Sequence, residues 1–332
     1  MKPLLKKYGH KWLQVIQNVS WAQWNRLGLM GTGGSNQYSI DIEASLLLAA
    51  PVMAWDGRLW EGIYSWLERY ETIVNGERLA NLIRRGDEGT LAPVLGGLIK
   101  AGPFKTLTSV LKTCRKLSAK NWGPPVQKPA RSKLDDHQNI LKNNAGIRYR
   151  YLYGTSLRAD ILYLLSVSHR CKKKRDMDYL TTVRLADVHL GCDRSTVYRL
   201  QKDLEEGDIL VPQRELKNQY IVTWTVKDDS VFFKQKTPET GLIRWTRMND
   251  LFFDLFQLME DLKKISDETV AKYRIANFLG EYVADLADHG IQVPKPYSRA
   301  LGPPLKEDSL KDLAKTTTQA LQSFYDLIVK ST

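Results

Sequence analysis

The stretch CDRSTVYRLQKDLEEGDIL at 192–210 places Ser195, Tyr198, Arg199 and Lys202 three and four residues apart. On a helix that spacing gathers them on one face. A guanidinium can bind the guanine O6 and N7 edge with two hydrogen bonds, and hydroxyls accept or donate to any base edge, so such a face suits the DNA major groove. Val197, Leu200 and Leu204 fall on the opposite side and are expected to face a core. Asp193 is expected to cap the helix by accepting from the backbone N–H of Ser195 or Thr196, where its charge also meets the positive end of the helix dipole. Arg194 lies at the edge of the outer face in the first turn, the part of a recognition helix that touches bases. Thr196 joins the same candidate contact set.

Other clusters point to different chemistries, and each has a plainer explanation. His169 with Cys171, and His189 with Cys192, supply four soft zinc ligands. Cys192, however, falls at a small, buried turn position, and the 169–171 segment would have to fold back to meet it. Asp135, Asp136 and His137 resemble half of a metal-dependent nuclease site, but adjacent carboxylates on a linker lack rigid convergence. GTGGSN at 31–36 lacks the Gly-Lys-Ser/Thr ending of a phosphate loop and follows no strand, so it reads as a loop. These readings leave no catalytic residue, metal or cofactor, and the chain is expected not to be an enzyme.

The elements that would position residues 193–206 are legible on both sides. Ser156 can cap a helix with Leu157, Ile161, Leu164, Leu165 and Ser168 along one side. A short helix fits 184–189, with Leu185, Val188 and Leu190 inward, and Gly191 supplies a turn that needs positive φ. Gly207 is expected to end the next helix. Strands are expected at 209–211 and, from the period-two alternation, at 220–226. Pro212 restricts the first of these to an edge. Arg214, with Lys217 and Asn218 at the tip between the strands, would contact phosphate or the minor groove.

The run LADVHLGCDRSTVYRLQKDLEEGDIL closely resembles the helix-turn-helix and wing entry of bacterial winged-helix transcription regulators. Leu185, Ala186, Leu190, Gly191, Cys192, Asp193, Ser195, Thr196, Val197, Leu204 and Gly207 carry that resemblance, which covers about seventy residues. It implies sequence-specific binding of double-stranded DNA. Helical segments on both sides are also similar in layout to regulators of toxin–antitoxin or phage-defence operons. Plasmid or phage replication initiators, which bind origin repeats, offer another home for a winged helix in a basic chain. A third reading is a non-enzymatic interaction subunit that uses the winged helix as a docking module.

Charge supports an acidic partner. The chain carries 49 Lys and Arg against 37 Asp and Glu, a net charge of +12. Nearly all of the excess lies in 97–156, whose Pro-rich centre KNWGPPVQKPARSKLDDHQN reads as a basic linker. Lys172, Lys173, Lys174 and Arg175 are expected to hold phosphates. In GIRYRYLYG (146–154), Arg148 and Arg150 alternate with tyrosines as on a strand and would form an arm along a phosphate backbone, or else an edge strand.

The expected fold is mostly α, with a winged helix-turn-helix flanked by helical domains: an N-terminal unit over 1–115, a linker over 116–150, the winged helix over 151–230 and a C-terminal unit over 231–332. In the first unit Ile42, Leu46, Leu47 and Ala50, then Leu59, Ile63, Trp66 and Leu67, and then Leu79, Leu82 and Ile83 repeat at helical spacing, and the tryptophans are expected in its core. In the last, Leu251, Phe252, Leu255, Phe256, Leu258, Met259 and Leu262 form one face. Val270, Tyr273, Ala276, Phe278, Leu279 and Tyr282 are expected inside a following helix capped by Ser266 or Asp267, and a last helix from Asp308 carries Leu310, Leu313, Leu321, Phe324, Tyr325 and Ile328. These helices would form a bundle, a dimer surface or a site for a protein partner. Three cysteines are too few for a disulfide framework, and SLLLAAPVMAW falls short of the roughly 20 residues that span a bilayer. A cytoplasmic, non-membrane protein is therefore expected.

Overall fold

The computed structural model describes residues 2–31, 33–86, 88–118, 132–171, 181–214, 222–226, 242–293 and 309–329. The fold is mostly helical. The first run is α1 (Lys2–Arg26), α2 (Ile42–Met53), α3 (Gly57–Tyr70), α4 (Gly76–Arg85), α5 (Glu88–Ala101) and α6 (Thr108–Leu117). Then come α7 (His137–Asn143), α8 (Ala145–Tyr153), α9 (Leu157–Cys171), a π-helix (Arg184–Leu190) and α10 (Arg194–Glu206). Strands β1 (Leu210–Arg214) and β2 (Val222–Val226) precede α11 (Trp245–Lys264), α12 (Glu268–Asp288) and α13 (Leu310–Val329). Short acidic or amide side chains start many of these helices. Asp41, Asp56, Asn75, Asp136, Asp193 and Asp267 each accept a hydrogen bond from a backbone N–H of the first turn, satisfying donors that a helix cannot pair internally.

Buried apolar side chains fall into two clusters. The larger takes Trp12, Trp24, Leu46, Ile63 and Trp66 from the first helices together with Phe252, Leu255, Tyr282 and Phe324 from the last three. Helix α13 lies along α1, where the Trp12 indole N–H donates to Thr318 Oγ1 at 2.9 Å. The helices at the two ends of the chain thus share one core and do not hold separate ones over 1–115 and 231–332. The second cluster joins Tyr149, Ile161, Leu165, Leu185, Leu190, Val197, Leu204, Leu210 and Trp224.

Several expectations are corrected. Residues 132–150 do not run as a linker: Asp135 N–H donates to the Gly28 carbonyl at 2.8 Å, and Ile140 and Ile147 are buried in the larger core. The rest of the Pro-rich stretch, 119–131, lies outside the described residues. GIRYRYLYG forms helix α8 and not a strand, because Ile147 and Arg150, three apart, both face inward. A short Arg-Tyr alternation fits either period, and the buried partners of Arg150 decide it. On α12, Val270 and Tyr273 are 44% and 49% exposed. The tryptophans of the first segment are buried as expected, save Trp55 at 47% exposure.

Candidate nucleic-acid interface

Helix α10 begins as its sequence requires. Asp193 has extended backbone and accepts from Thr196 N–H at 3.0 Å. Val197 and Leu204 are fully or nearly fully buried and Leu200 partly so, as their spacing demanded. Gln201 joins them, accepting from the Thr182 hydroxyl at 2.6 Å. Ser195, Tyr198 and Arg199 point outward, with Tyr198 half exposed. The hydroxyls of Ser195 and Thr196 both turn back to the Asp193 carboxylate.

The basic residues of this face differ in how committed they are. Arg194 is paired with Asp187 of the π-helix, and that hydrogen bond holds the exposed Asp187 carboxyl below its usual range. Lys202 bonds Glu205 at 2.7 Å, and its ammonium lies over the rings of Tyr198 and Trp224. Arg199 has no ion-pair partner among the described residues and is the cation most available to an incoming ligand. The nearby acid Asp203 is turned toward Arg158, at 2.9 Å.

The turn before α10 is anchored from a distance. Gly191 sits in the left-handed region (φ 61°, ψ 40°), and Cys192 N–H closes the turn onto the Ala186 carbonyl at 3.0 Å. From α4, Arg78 reaches the last carbonyls of the π-helix: Nη2 donates to His189 O at 3.1 Å and Nε to Leu190 O at 2.9 Å. The same guanidinium binds Asp41, and Glu43 at 2.6 Å. Arg150 of α8 takes the other side of Glu43 at 2.7 Å and also holds Asp160 of α9 at 2.8 Å. Burial by itself would raise the Glu43 carboxyl, but Arg150 and Arg78 outweigh it and bring it down to about 2. Three carboxylates share two guanidiniums here. Asp160, penalised by burial and by the nearby Glu43 charge, is raised.

This network removes Arg150 from the phosphate-contact set, since its guanidinium is buried and fully engaged inside the protein. Arg148, on the same helix, is half-buried. Beyond α10 the chain turns through Asp208, which adopts φ 59°, whereas Gly207 stays at −76°. The left-handed residue at this stop is therefore the aspartate. Strands β1 and β2 then pair antiparallel from Leu210 with Val226 to Arg214 with Val222, and Pro212 lies opposite the buried Trp224. In a two-stranded ribbon both strands are edges, so the N–H that proline lacks costs little. The tip residues Lys217 and Asn218, and the run Lys172, Lys173, Lys174 and Arg175, lie outside the described residues.

Sequence reasoning missed Arg78, Glu43 and Asp160. The available signal was Glu43 itself, a lone acid in the otherwise apolar run IEASLLLAAPVM, since a charge in such a helix must find a buried partner. It also missed the Asp187–Arg194 pair, because no helical period carries across a turn. Elsewhere, Asp136 caps α7, and His137 stacks on Tyr70 and bonds its hydroxyl at 3.1 Å. Among the described residues no three His, Cys, Asp or Glu side chains converge as metal ligands, and no helix is long and apolar enough to cross a membrane.

Around α10 the described residues show a π-helix, a turn and a capped helix, followed by two antiparallel strands. No protein-family model, no curated protein and no solved structure matches the chain.

Proposed function

We propose that residues 156–226 form a winged helix in which α10 enters the DNA major groove and the β1–β2 hairpin is the wing. On this reading the chain is a sequence-specific double-stranded DNA-binding protein acting as a transcription regulator. One observation carries it: the outward Tyr198 and Arg199 stand on a helix whose other face is packed and whose preceding turn is pinned by Arg78. A rigid element presenting a basic and hydrogen-bonding face fits direct base readout. Arg199, Ser195 and Tyr198 read bases, with Arg194 and Thr196 at the leading turn. Lys202, Arg214, Lys217, Asn218 and the Lys172, Lys173, Lys174, Arg175 run hold phosphates.

The test is capture of genomic DNA fragments by the purified protein at about 150 mM salt, where non-specific phosphate binding is largely suppressed. Enrichment of a few sites, lost in Arg199→Ala at a cost of about 1–3 kcal/mol, is expected. No enrichment by a folded protein would overturn the reading and transfer α10 to a protein partner.

A further inference from the structure

An apolar groove runs between α1 and α11. It encloses about 730 Å³, within the size range of small-molecule sites. Trp12, Leu13, Trp55 and Phe256 supply its walls, with Met259 and Leu262 beside them. Trp55 leans toward Phe256, their ring centroids 6.0 Å apart.

Gly9 lines the same groove from within α1. A glycine in a helix interior costs about 1 kcal/mol relative to alanine. Packing does not demand it here, because a Cβ at position 9 would meet only the Met259 sulfur, at 4.0 Å. What the missing side chain does is leave the groove open at this point.

The rim offers an ammonium and an imidazole. Lys6 and His10 stand one turn apart on α1, both exposed and lining the groove. Across from them Lys263 is paired with Glu260, the one acid among the described residues that line the groove. From Leu5 to Leu13 the groove follows α1 for about 12 Å, the reach of about ten methylenes.

We propose that this groove binds a single-chain anionic amphiphile, a hydrocarbon of about ten carbons ending in a carboxylate, with the chain against Trp12, Trp55 and Phe256 and the carboxylate at Lys6 and His10. The site does not depend on the DNA-binding reading.

The probe is decanoate below its micelle concentration, titrated into the full-length protein and followed by tryptophan fluorescence and calorimetry, with decanol and decyltrimethylammonium as comparisons. Saturable binding of one decanoate per chain is expected, tighter than the cationic analogue. Lys6→Glu should weaken decanoate about fivefold and leave decanol unchanged. Gly9→Phe, whose ring would fill the groove, should abolish binding of both while the thermal transition stays cooperative. Absence of saturable decanoate binding to the wild type, equal affinity for the cationic analogue, or full binding by a folded Gly9→Phe would each overturn the proposal.

Discussion

The Nε–H of Arg78 donates to the carbonyl oxygen of Leu190 at 2.9 Å, across 112 positions of sequence. One guanidinium thereby binds the carboxylates of Asp41 and Glu43 and the C-terminal carbonyls of the π-helix. The turn that aims α10 is held by the helical body as well as by its own local hydrogen bonds.

Removing that guanidinium should be costly. Arg78→Met leaves Glu43 short of a partner in a buried site and should destabilise the protein by about 3–5 kcal/mol in urea unfolding. Arg78→Lys keeps the charge but lacks the planar fork, so it should recover only part of the loss. A change below about 1 kcal/mol in Arg78→Met would show that the network does not hold the turn.

Backbone conformation predicts opposite outcomes at the two turns flanking α10. Gly191→Ala forces a Cβ into the left-handed region and to 3.0 Å from Leu82 Cδ2, and should cost about 1–2 kcal/mol. Asp208→Gly relieves the same strain at φ 59° and should be neutral or stabilising. The two thermal midpoints, compared with wild type, check both.

A buried histidine, His189, and a half-buried one, His289, set a pH dependence. Burial, with the Arg244 charge adding, pushes His189 down to about 3 and His289 down to about 4. An unfolded chain takes up these protons near 6.5, while the folded chain refuses them until the lower values. The unfolded state therefore binds more protons in between, and stability should fall as pH drops from about 6.5 toward 4, by up to about 1.4 kcal/mol per pH unit for each histidine. Glu43 adds to the loss only below its ordinary range, as pH falls toward about 2. Denaturation curves of His289→Asn between pH 7 and 5 should be flatter than wild type; parallel curves would refute the assignment.

If α10 binds DNA, releasing Arg194 from Asp187 frees its guanidinium for a base edge at the leading turn. Asp187→Asn is expected to tighten binding to the selected sites more than to random DNA. Equal tightening on all sequences, with the salt dependence of log K steeper by about one, would instead make Arg194 a phosphate contact.

Much of the local layout around α10 was legible in advance. The cap at Asp193, the inward Val197 and Leu204, the left-handed Gly191 and the paired strands each follow from the chemistry of a few neighbouring residues. The stop at Gly207 is legible too, although the left-handed conformation falls on the next residue, Asp208, and not on the glycine.

What sequence by itself determined was therefore element type and facing, wherever a period or a cap resides within one segment. Tertiary structure alone decided that the helices at both ends of the chain share a core, and that Arg150 faces Glu43 and Asp160 and not solvent. It also decided that the basic stretch after 131 packs into the body. The physical reason is the same in each case. An apolar stripe or a guanidinium carries no local mark of its partner, and a buried charge finds that partner only where distant segments meet.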